Sequence, residues 1–63
     1  MKVGDLVELS AQGRRLKYHN DLRDKKGIII DVQPKRLYPI FVQWFGYAVV
    51  DHQRSNLRYV SRA

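Results

Sequence analysis

Two histidines, His19 and His52, are the only side chains in this 63-residue sequence suited to proton transfer near neutral pH. His52 stands three residues before Ser55, the nearest approach to a base–nucleophile pair. Nucleophilic catalysis also needs a third group to orient the base, and donors for the charge that develops. No carboxylate pattern or oxyanion loop accompanies these two residues, so His52 reads as a hydrogen-bonding residue at a strand end. Two histidines and scattered aspartates lack the ligand spacing of a metal site, and there is no cysteine to supply a thiolate. No glycine-rich phosphate loop is present. The expectation is a chain that is not an enzyme, with no cofactor, no metal and no small-molecule substrate.

The remaining candidates bind rather than react. Twelve Lys and Arg stand against six Asp and Glu, a net charge of +6, which favours encounter with polyanions. Residues 14–26 hold six bases and two acids and so carry +4 of that excess. Arg14, Arg15, Lys17, Lys25 and Lys26 are the candidate phosphate contacts there, by charge neutralisation and counterion release. Lys35 and Arg36 add to the same edge if their turn lies beside that segment. An ordinary solvated loop has the same composition, and both readings stay open. Seven aromatic residues are many for this length. Trp44, in step with Ile40 and Val42, belongs to the core. Phe41 and Phe45 fall on the opposite face with Tyr47 close by, where they stack on bases or grip a protein if exposed. The expectation leans to the basic loop folding over Phe41 and Phe45 and burying them.

Short strands must position these residues. In 3–10 a Gly4-Asp5 turn leads into alternation, with Val7 and Leu9 facing one way and Leu6 and Glu8 the other. The clearest strand is 27–33, where four β-branched residues in five positions favour the pleat, Ile28, Ile30 and Val32 share a face, and Gly27 marks a bend. Pro34 to Leu37 form a turn. Strands over 40–45 and 48–52 follow, joined at Gly46-Tyr47. Residues 53–56 suit a turn of 3₁₀ helix, and 57–60 close as a fifth strand before a frayed 61–63. The 11–26 segment reads as one long ordered loop pinned by Leu16, Tyr18 and Leu22, with a single helical turn capped by Asn20 as the alternative. Together these predict an all-β fold in one domain spanning 1–63, a five-stranded half-open barrel.

In order, Gly4-Asp5-Leu6-Val7, a basic loop before Gly27-Ile28-Ile29, Tyr38 to Trp44 as a middle strand, and His52 to Leu57 before a last strand resemble the Src-homology-3-like barrels of the KOW and Tudor type. The Gly-Asp start with a late His and Leu is also similar to the variable chain of ferredoxin–thioredoxin reductase, which serves a partner subunit carrying an iron–sulfur centre. The opening ten residues resemble short proteins of marine bacteriophages. The barrel resemblance implies the fold, and KOW domains often contact RNA or ribosomal protein.

The function expected is a binding module, phage-encoded if that resemblance holds. Nucleic acid, DNA or RNA, is the expected partner, held mainly by backbone phosphates on the seven bases named, with secondary contact at Phe41, Phe45 and Tyr47. Sequence-specific reading is not expected of turns and a shallow face. The alternative is a module that docks on a host or phage protein, or a minor subunit of a complex. No apolar run approaches the roughly 18 residues of a membrane span, and no apolar stretch follows Met1-Lys2, so a cytoplasmic protein without membrane contact is expected.

Overall fold

A computed structural model describes residues 1–63 apart from the side chain of Tyr18. Five strands, β1 (Leu6–Leu9), β2 (Gly27–Val32), β3 (Ile40–Trp44), β4 (Val49–His52) and β5 (Leu57–Ser61), form one open antiparallel sheet. Their order is β4-β3-β2-β1-β5, which leaves β4 and β5 as edges. Among the described residues, no helix is long and apolar enough to cross a membrane.

Alternation sets the core. Val7, Leu9, Ile29, Ile40, Val42, Trp44 and Leu57 are buried on the inner face, and Leu22 closes over them from the 11–26 segment. The expected face of β2 differs: Ile29 is buried while Ile30 is 45% exposed. A bulge explains the difference, because the register passes from Ile29↔Val42 to Asp31↔Phe41 and leaves Ile30 as the extra residue. The phase then flips, so Val32 packs against the core and Asp31 turns outward. Gly27 pairs regularly with Val7 and Trp44 rather than bending the chain. It is needed for close approach, since a Cβ there would collide with Val42 and lie 2.9 Å from the Gln43 carbonyl oxygen. Gly46 makes the β3–β4 turn at φ +74°, with Tyr47 N–H donating to the Trp44 carbonyl at 3.0 Å.

The 11–26 segment is built from two short helical pieces. Ser10 caps α1 (Ala11–Arg14), its hydroxyl accepting from Gly13 N–H at 3.1 Å and donating to the Ser55 carbonyl at 2.7 Å. A first 3₁₀ helix then spans Lys17–Leu22, so the helical turn begins ahead of Asn20 rather than being capped by it. Leu22 is buried and Leu16 half-buried, as pinning requires, while Tyr18's side chain lies outside the described residues. A second 3₁₀ helix, Arg54–Asn56, precedes β5 as expected. The end of β5 is held more firmly than expected. Asp5, buried, accepts from the backbone N–H of Ala63 at 2.8 Å and of Lys2 at 2.9 Å, and Arg62 lies over the Tyr59 ring at 4.2 Å.

Candidate functional site

The two histidines come together, but not as a catalytic pair. β4 ends at His52 and the first 3₁₀ helix carries His19, and their ring centroids are 4.9 Å apart. Both side chains are 1–2% exposed. Trp44 Nε1–H donates to His52 Nε2 at 3.0 Å. An indole nitrogen can only donate, so His52 Nε2 is the bare nitrogen and the proton of the neutral ring sits on Nδ1. Nδ1 is buried and finds no acceptor among the described residues. His19 Nδ1 lies 2.8 Å from the Gly13 carbonyl, which can only accept, so His19 donates from Nδ1. Burial, with some help from His19, depresses the His52 pKa from 6.5 to about 4, against a smaller opposing pull from Asp51. His52 is therefore neutral at physiological pH. Ser55 is exposed, and its hydroxyl engages the Gln12 amide at 3.5 Å rather than His52.

Beside these rings is a cleft of about 300 Å³ lined by His19, Tyr38, Val50, Asp51, His52 and Asn56. It gathers the first 3₁₀ helix, the β2–β3 turn, β4 and the second 3₁₀ helix. Asn56 is 4% exposed, and its side-chain amide makes no hydrogen bond to a described residue. Sequence reasoning passed over Tyr38 and Asn56. No local pattern marks them, because the fold alone sets a turn tyrosine against a 3₁₀ asparagine.

The candidate cations divide between two places. Lys25 and Lys26 enter β2 at Gly27, whereas Lys35 and Arg36 follow its far end, about 20 Å away at 3.3 Å per residue. They do not form one edge. Lys17 is two residues before His19 and Arg36 two before Tyr38 in the sequence, but neither lines the cleft. The Arg36 guanidinium lies 5.2 Å from the Phe41 ring centre. Arg14 and Arg15 are exposed at the end of α1.

Phe45 and Tyr47 form an exposed corner at the β3–β4 turn. The 11–26 segment does not cover Phe45, which is 54% exposed, contrary to the burial expected. The segment reaches the corner by backbone, where Phe45 N–H donates to the Lys26 carbonyl at 2.9 Å, and by Asp21, 3.4 Å from the Tyr47 hydroxyl. Lys26 is thus beside Phe45. Phe41 is half-buried, between Asp31 and Asp51 on its neighbouring strands.

Few charges are neutralised within the molecule. Glu8 pairs with Arg58 and, at 4.0 Å, with Lys26. Of the twelve Lys and Arg, these two have a carboxylate within 4.0 Å and the other ten have none that close among the described residues. No match to this chain was found among protein-family models, curated proteins or solved structures.

Proposed function

We propose that this chain is a non-catalytic binding module for nucleic acid, held mainly through backbone phosphates. The observation that carries the reading is the set of ten cations with no carboxylate within 4.0 Å among the described residues, on so small a body. A structural role would pair more of them, since cations left apart repel one another and weaken the compact state. Arg14, Arg15, Lys17, Lys25, Lys26, Lys35 and Arg36 neutralise phosphates in this reading, and Phe45 and Tyr47 add stacking beside Lys26. The sheet order agrees with a Src-homology-3-like half-open barrel, and we take that as the fold type. On such a surface the charges sit on turns and 3₁₀ pieces, which suits contact with a backbone more than reading of a groove.

Salt titration tests it. Affinity for short duplex DNA, single-stranded DNA and RNA is measured at about 50 and 200 mM salt, the range in which phosphate contacts weaken steeply. Arg14→Glu with Arg15→Glu should lower affinity and, on a single strand, reduce the slope of log affinity against log salt by about 1.4, or about 0.7 per lost contact. Unchanged affinity in that variant would remove these residues from the interface, and no binding to any of the three would sink the reading. A second reading, docking on a protein by strand addition, is favoured by the two edge strands, where Val49 and Val60 are 45% and 39% exposed. Such a complex should survive the higher salt.

A further inference from the structure

We propose that the cleft between the first 3₁₀ helix and β4 receives one unstacked nucleobase of a single-stranded nucleic acid. This inference rests on the nucleic-acid reading above and adds to it the state of the strand and the place of one base.

The first support is a buried polar group that the fold does not use. His52 Nδ1–H has no acceptor among the described residues. Such a group costs on the order of 1–3 kcal/mol. A domain of this size has roughly 3–5 kcal/mol of stability in all, so one unanswered group is expensive unless something answers it. The Asn56 amide, which makes no hydrogen bond to a described residue, stands with it. Both residues line the same cavity.

The second is the chemistry of the lining. An amide presents a donor and an acceptor side by side, which matches the paired acceptor and N–H on the edge of a base. The Asp51 carboxylate accepts from an exocyclic amine or ring N–H. A base carbonyl supplies the acceptor that His52 Nδ1–H lacks. Tyr38, 39% exposed, supplies a flat face for stacking. The volume, about 300 Å³, is at the small end of ligand sites and suits one planar ring system.

The third is the charge around the cleft. Lys17, Arg36 and Arg54 each stand two residues from a lining residue, on three separate elements. A backbone leaving the cleft runs along segments that carry cations, with Arg36 held over the Phe41 ring and Arg54 over the Tyr59 ring. A paired base inside a duplex cannot enter, because its edge and both faces are already used. The cleft therefore selects the single strand.

The test compares three probes of equal length at about 50 mM salt: a mixed-sequence single strand, the same strand with all bases absent, and the duplex. Abasic strand keeps the phosphates and removes what the cleft would hold. The normal strand should bind about tenfold or more tightly than the abasic one, with side-chain shifts at His52 and Asn56, and the duplex should leave those signals unmoved. Tyr38→Ala, at an exposed side chain, and Asn56→Ala should each reduce affinity for the normal strand and leave the abasic strand unaffected. Tyr38→Ala keeps the test decisive if Asn56→Ala fails to fold. Equal, salt-sensitive binding of normal and abasic strands would overturn the base site while the phosphate reading stands. No binding of any probe would overturn both.

Discussion

Two groups of rings on this sheet follow opposite rules. Trp44, His52 and His19 are sealed from water, and each holds a named hydrogen bond that fixes its orientation. Phe45 and Tyr47, one turn further along the chain from Trp44, stand 54% and 45% exposed. The inner group spends polar atoms in the core, where they cost free energy unless matched. The outer group leaves apolar surface in water, where it costs free energy unless covered. Stability should depend on the first, and contact with a strand at the β3–β4 turn on the second, and each variant below tests that division.

The largest effect should come from Trp44→Ala. Truncating a buried tryptophan costs about 3–5 kcal/mol, as much as a domain this small has to lose. The variant should be unfolded or nearly so at 25 °C by circular dichroism and amide dispersion. A cooperative transition within about 1 kcal/mol of the parent would mean that the inner rings are not the keystone of the core.

Acid should act next, through His52. Its pKa is depressed from 6.5 to about 4, so the unfolded chain takes up the proton first as pH falls. The stability contribution is complete above about pH 6.5, declines as pH falls towards 4, and does not decline further below that. The full difference is about 3 kcal/mol at 1.36 kcal/mol per unit. His52→Gln keeps an acceptor for Trp44 Nε1–H and cannot titrate, so its denaturant midpoint should be flat across that window. Asp5 works in a lower one. Hydrogen bonds from the Ala63 and Lys2 backbone hold its carboxyl below the ordinary 3.8, so its contribution is present above that value and is lost only in stronger acid. A parent whose stability is level from pH 6.5 to 4 would show that His52 is not sealed.

Gly27→Ala should follow, at about 1–3 kcal/mol destabilising. The added methyl meets Val42 and the Gln43 carbonyl, which belong to the paired strand and cannot step aside without disturbing β3. A neutral result in thermal unfolding would mean that the β2–β3 approach has slack.

How much of this was legible in the sequence follows from how local each cause is. Period-two alternation set Val7 and Leu9 on a common face and put Trp44 in the core with Ile40 and Val42, and all five are buried, because a strand's pleat is a local property. The face of β2 was misread because a bulge at Ile30 shifts the phase, and nothing in Ile28-Ile29-Ile30 distinguishes the extra residue. The helical pieces within 11–26 were hard to see among polar residues, since Ser10's partners include the backbone of Ser55, 45 residues away. The cleft was invisible for the same reason. His19, Tyr38 and Asn56 meet only after three connections have folded against β4. The cations, by contrast, were readable as residues but not as a surface, because the length of β2 separates Lys25 and Lys26 from Lys35 and Arg36.

The smallest effect on stability, and the sharpest test of the division, lies at the outer corner. Phe45→Ala and Tyr47→Ala remove exposed rings, so each should change unfolding free energy by less than about 0.5 kcal/mol. Tyr47→Ala also loses a 3.4 Å contact between its hydroxyl and Asp21, long and exposed enough to matter little. Affinity for a single strand should nonetheless fall, by about 1–3 kcal/mol for a ring that stacks on a base. The two readouts belong together, taken on one sample by chemical denaturation and by strand titration at low salt. Loss of binding at constant stability places the corner on the interface. Loss of stability at constant binding would reverse the comparison, showing that Phe45 braces the turn that carries Lys26's partner strand and that exposure alone is a poor guide to function here.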